Sequence, residues 1–178
     1  MKINDIKELE SMAKKVRRGI IEAVYSGQSG HPGGSLSVAD ILTVLYFNQL
    51  NIDEKNPNWE NRDRLVLSKG HCSPALYSCL VNRGFFRVED LTTGSLGQGL
   101  SAGVGMAIAG KMHKKDYRVY CILGDGEIEE GQIWESAMSA KKYKLDNLCV
   151  VVDNNNLQID GTVEEVMSPY PIDEKFRS

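Results

Sequence analysis

Residues 117–153 read YRVYCILGDGEIEEGQIWESAMSAKKYKLDNLCVVVD. Two apolar runs stand out, Val119 to Leu123 and Leu148 to Val152, and the segment between them, Glu130 to Lys142, has a helical pattern. Strands over Tyr117–Leu123 and Asn147–Val152 joined by that helix make a βαβ unit, and such a crossover joins parallel strands. Both predicted strands are almost wholly apolar, the composition of strands covered by helices on two faces. The expected fold class is therefore α/β, a largely parallel sheet covered by helices on both faces. Ligands in such sheets bind beyond the carboxyl ends of the strands. Those ends carry Gly124-Asp125-Gly126 and Asp153-Asn154-Asn155-Asn156. A carboxylate from one and amide oxygens from the other are hard ligands for Mg²⁺, which keeps phosphate oxygens in its shell. Taken singly, the motifs also read as an Asp-Gly turn and a polar loop; a shared cation requires the two strand ends to be neighbours.

Working outward, Ile6, Leu9, Met12, Ala13, Val16, Ile20 and Val24 recur at three- and four-residue steps, so an amphipathic helix opens the chain. Lys14, Lys15, Arg17 and Arg18 form its solvated face. Ser26–Ser35, rich in Gly, Ser and Pro and carrying His31, reads as a loop. Ser37 resembles the cap of a helix running through Phe47. A short buried strand, Arg64–Leu67, leads into the turn Ser68-Lys69-Gly70-His71, then a helix over Pro74–Asn82. Leu96–Lys111 reads as a Gly- and Ala-rich helix. Its start, Gly97-Gln98-Gly99-Leu100-Ser101-Ala102, matches a dinucleotide-binding fingerprint, but the residues before it, Arg87 to Thr93, are polar and do not read as the required strand. His31 and His71, each in a Gly-containing turn before a helix, are expected to share a site; His113, among lysines, is expected at the surface.

Composition narrows the function. With 178 residues, 42% of them hydrophobic, the chain is expected to form one domain over residues 1–178. Lys+Arg at 21 against Asp+Glu at 24 gives a net charge of −3, which argues against nucleic acid as a partner. Leu96–Gly110 is too short for a membrane span and contains Gln98 and Ser101. The polar, acidic start lacks the apolar core of a signal peptide, so a cytoplasmic protein is expected. Cys72, Cys79, Cys121 and Cys149 show no Cys-x-x-Cys spacing and are expected to be buried, reduced thiols.

Five segments together resemble the N-terminal, thiamine diphosphate-binding half of transketolase: Ser29-Gly30-His31-Pro32-Gly33-Gly34, Leu67-Ser68-Lys69-Gly70-His71, Thr92-Thr93-Gly94-Ser95-Leu96-Gly97-Gln98-Gly99, Gly124-Asp125-Gly126-Glu127 with Glu130-Gly131, and Asp153 through Gly161. The resemblance implies that Asp125, Asn155 and the backbone carbonyl of Leu157 ligate Mg²⁺. It also implies that Gly124 and Gly126 pack at the diphosphate, and that Gly94 and Leu96 line the aminopyrimidine and thiazolium. His71 would lie near the cofactor and His31 in the substrate channel, both serving the reaction. Glu130 would cross a subunit interface. The implied activity is transfer of a two-carbon ketol unit from a ketose phosphate to an aldose phosphate, within the pentose phosphate pathway.

Two departures qualify this. Between Leu91 and Thr92 the family carries a longer loop with a substrate-handling histidine, and the chain stops at Ser178, short of the family's usual domain end. The pyrimidine-binding domain, whose glutamate activates the cofactor, is not in this sequence. A complete site would therefore need a separate C-terminal subunit in a homo- or hetero-oligomer, as in split transketolases. The alternatives are an enzyme like 1-deoxyxylulose 5-phosphate synthase, or a non-catalytic cofactor-binding or interaction remnant.

Overall fold

The computed structural model describes residues 2–85, 91–92, 97–158 and 160–178. They fall into two compact units, one from Met1–Asp63 and His71–Asp90, the other from Arg64–Gly70 and Leu91–Ser178.

The first unit is helical. Helix α1 spans Ile6–Gly27, capped by Asp5, whose carboxylate accepts the Glu8 N–H at 3.0 Å. Ala13, Val16 and Ile20 are its buried stripe, while Ile6, placed on that stripe by spacing alone, is exposed because the stripe meets its neighbours only from the second turn. Lys14, Lys15 and Arg18 are exposed as expected, Arg18 pairing with Glu22 one turn on, and the partly exposed Arg17 pairs with Asp40. The segment read as a loop is partly helical: Pro32–Ser37 forms α2, with proline in its first turn, where a missing N–H costs nothing. Ser37 is the last residue of this helix, and the cap position of the next belongs to Val38. Helix α3, Ala39–Val44, runs on into a widened π-turn over Leu45–Gln49.

Strand β1, Arg64–Leu67, has the bounds expected from sequence. Helix α4, Ser73–Arg83, returns to the first unit, where the Ser78 hydroxyl donates to the Val16 carbonyl of α1 at 2.8 Å.

The second unit holds the sheet. Strand β2 is Leu91–Thr92, followed by helix α5, Gln98–Met112. A strand therefore does precede the Gly97 segment, against the reading of Arg87–Thr93 as strandless: two residues are too short for a hydropathy pattern to register. Strand β3 is Val119–Gly124, helix α6 is Gly131–Lys142 and strand β4 is Leu148–Asp153. The order is β2-β1-β3-β4, every pair parallel, which is the α/β class expected. Val66, Val119, Cys121 and Leu123 pack under Leu100, Val104 and Ala107 of α5 and Ile133 of α6.

The apolar composition of β4 misleads in one respect. This strand lies at the sheet's edge, where Leu148, Val150, Val151 and Val152 are only half-buried. Cys149 is exposed, contrary to the expectation of four buried thiols. Burial pushes the Cys79 thiol up, and raises that of Cys121 to about 12 with a smaller contribution from the charge of Glu127. Cys72 is also buried. A thiol reagent at neutral pH should modify the native chain at Cys149 alone, read by mass spectrometry of the digest; fast modification of Cys79 or Cys121 would contradict this burial.

Past the sheet, β5 (Leu157–Gln158) and β6 (Gly161–Thr162) form a small antiparallel pair. Helix α7, Val163–Val166, starts from a capping box between Thr162 and Glu165, and α8, Ile172–Arg177, sets Phe176 against Trp134 of α6 at 4.9 Å between ring centroids. No described helix is long and apolar enough to cross a membrane.

Candidate active site

The parallel pairing of β3 with β4 puts Gly124 opposite Asp153, so the two strand ends are neighbours. Asp125 is buried at 2% exposure. One carboxylate oxygen accepts the Gly126 N–H at 3.0 Å, and the other accepts the Asn156 N–H at 2.5 Å, which ties the Gly-Asp-Gly turn to the asparagine run. The Asn155 side-chain oxygen closes a short turn on the Leu157 N–H at 2.9 Å. Gly124 and Gly126 do not occupy the left-handed region, so the turn is not one that only glycine can make. Gly126 instead answers to space, since a Cβ there would stand 3.2 Å from the Cβ of Gln158 on β5. Gln158 in turn donates to Glu129 at 3.0 Å, fastening the β5–β6 pair to the turn after Asp125.

Sequence reading gave no role to two charged neighbours of this turn, Lys69 and Glu127. Lys69, directly after β1 and its Ser68, is buried and pairs with Asp153 at 2.5 Å. Glu127 is buried as well and accepts from Ser68, from the Gly97 N–H at 2.7 Å and from the Gly124 N–H at 3.1 Å. The available signal was a lysine two residues beyond the apolar run ending at Leu67, and an acid between Gly126 and Ile128.

These groups bear on whether a cation fits. Among the described residues of this unit, the buried charged side chains are Lys69, Asp125, Glu127 and Asp153, three carboxylates against one ammonium. Backbone N–H groups offset part of that excess, and a divalent cation would balance it. Asp125 offers the charged ligand, with the Asn155 amide and Leu157 carbonyl as neutral oxygens beside it in sequence, a donor set suited to Mg²⁺. No group of three or more His, Cys, Asp or Glu side chains poised for a metal occurs among the described residues, so any cation here relies on amide and carbonyl oxygens.

The other candidates fall as follows. His31 precedes α2 as its cap residue and His71 lies in a 3₁₀ turn, Gly70–Cys72; their rings meet edge to face with centroids 5.7 Å apart, both exposed. Glu130 is the cap residue of α6. Gly94 and Leu96 lie outside the described residues, as do residues 86–90, so the surroundings of the shortened loop at Leu91 and Thr92 are not described. His113 is exposed, as expected.

A family model described as the transketolase, thiamine diphosphate binding domain matches residues 9–90 and 86–178. The chain belongs to that family. It is 44% identical to an apulose-4-phosphate transketolase subunit of Phocaeicola vulgatus, with 92% of this chain and 66% of that protein covered. It is 43% identical to a 6-deoxy-6-sulfo-D-fructose transketolase subunit from a Clostridium species, covering 96% and 71%, and 39% identical to human transketolase, covering 85% and 28%. The chain thus spans about two thirds of the first two relatives. Among solved structures, transketolase from Leishmania mexicana superposes with a TM-score of 0.83 at 27% identity, over 95% of this chain and 30% of that one. Transketolase from Pichia stipitis in complex with sedoheptulose 7-phosphate gives 0.84 at 29%, with the same coverage. The alignment with the Clostridium subunit is 195 positions long, more than the 178 residues of this chain. That relative therefore carries residues inside the matched span that have no counterpart here, and the two stretches of the family match meet at residues 86–90, beside Leu91.

Proposed function

We propose that this transketolase-family chain binds Mg²⁺ and thiamine diphosphate at the ends of β3 and β4. Together with a separate subunit carrying the pyrimidine-binding domain, it moves a two-carbon ketol unit from a ketose phosphate to an aldose phosphate. The observation that carries the reading is the bond from the Asn156 N–H to buried Asp125, which joins the two strand-end motifs into one oxygen-rich corner. Asp125, Asn155 and the Leu157 carbonyl would hold the metal, with Gly124 and Gly126 leaving room at the diphosphate. Gly94 and Leu96 are assigned to the cofactor rings and Glu130 to the subunit interface. Thiamine diphosphate, when bound, supplies an electron sink for making and breaking the bond to the two-carbon unit. The chain's own part is to orient and to move protons, and the paired imidazoles of His31 and His71 can donate protons to sugar hydroxyls and accept them back.

One diphosphate-binding domain over residues 1–178, a cytoplasmic location and a hetero-oligomer with the partner complete the proposal. The names of two relatives as transketolase subunits support the partner. The sugars in their names differ, apulose 4-phosphate carrying a phosphate and 6-deoxy-6-sulfofructose a sulfonate, so these names single out no particular sugar for this chain.

Purified chain mixed with a C-terminal transketolase subunit, Mg²⁺ and cofactor should give ketol transfer that neither chain gives alone. No gain on mixing would sink the catalytic part and favour the second reading, a cofactor-binding remnant, for which the residues lacking inside the matched span speak. Release of CO₂ with pyruvate as donor would point instead to chemistry like that of 1-deoxyxylulose 5-phosphate synthase.

A further inference from the structure

We infer that Glu127 is a positioning residue that fixes two strand ends and a helix start in the geometry that receives the cofactor's diphosphate and metal, an inference that rests on the functional reading above. Glu127 is 3% exposed, and its carboxylate is met from three sides. Ser68, in the turn after β1, donates its hydroxyl to one oxygen, and the Gly97 N–H donates to the same oxygen at 2.7 Å. The Gly124 N–H, directly before Asp125, donates to the other at 3.1 Å. One side chain therefore spans the turn after β1, the start of α5 and the end of β3.

The chemistry favours a carboxylate here. Gly97 is the cap residue of a 15-residue helix, where free N–H groups and the helix dipole attract negative charge. Charge-assisted bonds are shorter and stronger than neutral ones, and inside a dry site they hold position better. The contact is also close: a Cβ on Gly99 would overlap the Ser68 side chain, so the turn after β1 and the first turn of α5 have no slack between them. Glu127 makes no bond to Asp125 itself among those described. Its influence on the metal corner runs through the peptide of Gly124, so it acts on the site through its neighbours.

A residue that only stabilises the fold lowers the melting temperature and leaves affinity unchanged well below it. A positioning residue changes affinity in the folded protein. The experiment compares wild type, Glu127→Ala and Glu127→Gln as full chains, with the C-terminal subunit present in a parallel set. It measures the dissociation constant of thiamine diphosphate at saturating Mg²⁺ by calorimetry, and the hydrogen exchange of the Gly97 and Gly124 amides without cofactor. The expected result for Glu127→Ala is a dissociation constant raised about 10- to 100-fold, the usual cost of losing a group that orients ligands, with faster exchange at both amides. Glu127→Gln keeps the shape but turns an amide N–H₂ toward one of the backbone donors, and should fall between. If Glu127→Ala does not fold, Glu127→Gln and Ser68→Ala carry the comparison, each expected to weaken binding. Folded variants with wild-type affinity would overturn the inference alone. Wild-type chain that binds no cofactor, with or without partner, would overturn the functional reading and this inference with it.

Discussion

Lys69→Met should cost the fold about 3–5 kcal/mol, the range for removing one partner of a buried ion pair. Against a total stability of about 5–15 kcal/mol for a domain, that is enough to leave a marginal protein largely unfolded. The Lys69 side chain is 2% exposed and that of Asp153 8%, and they meet at 2.5 Å. Lys69 follows β1 while Asp153 ends β4, with β3 between them in the sheet, so the pair bridges across the end of the strand that carries Asp125. Methionine keeps the aliphatic stem and most of the packing, which isolates the loss of charge: the Asp153 carboxyl is left in a dry site without its cation. The double variant Lys69→Met/Asp153→Leu should recover most of the loss, because removing both charges removes the desolvation cost with the attraction. Urea unfolding of the two single variants and the double variant closes the cycle. A single variant that loses less than about 1 kcal/mol would place the pair among solvated surface bridges, a category to which Arg18–Glu22 on α1 belongs.

Sequence carried the sheet better than its surroundings. Strands β1, β3 and β4 were legible because buried parallel strands are runs of Val, Leu and Ile with charged or glycine punctuation, and their observed bounds lie within two residues of those expected. Strand β2 was not, because two residues carry no period. Helix α2 was hidden by Gly33 and Gly34, whose weak helix propensity outweighed the start signal of Pro32. The edge position of β4 depends on strand order, and hydropathy does not encode order; Cys149 is exposed for that reason. Among the candidate residues, Asp125 and Asn155 read as ligand types because they stand beyond apolar runs, and the two Gly-containing turns that carry His31 and His71 bring their rings together within one unit. Glu127 and Lys69 were not singled out, since an acid after Gly-Asp-Gly or a lysine in a turn reads as solvated until tertiary structure buries it.

Asp125→Ala should abolish the Mg²⁺-dependent part of cofactor stabilisation. Ligand at 100 times its dissociation constant adds about 2.7 kcal/mol to the folded state, a melting shift of about 5–10 °C for a chain of this size. Asp125 is the one charged ligand in the proposed set, and the Asn155 amide and Leu157 carbonyl are neutral, so without it the corner has little to offset the cost of stripping water from Mg²⁺. The substitution also removes the acceptor of the Gly126 and Asn156 N–H groups, which lowers the apo stability on its own account. The quantity to compare is therefore the shift on adding cofactor with Mg²⁺ over that with cofactor and a chelator, measured within each variant. Asp125→Asn separates the two effects, because the amide oxygen can keep one backbone bond while the charge is lost: its apo melting temperature should lie nearer wild type, and its Mg²⁺-dependent shift nearer Asp125→Ala. A shift of wild-type size in either variant would move the metal away from this aspartate. The buried carboxylate excess around Lys69 would then need another counter-charge, and the reading of the two strand ends as a diphosphate anchor would lose its chemical basis.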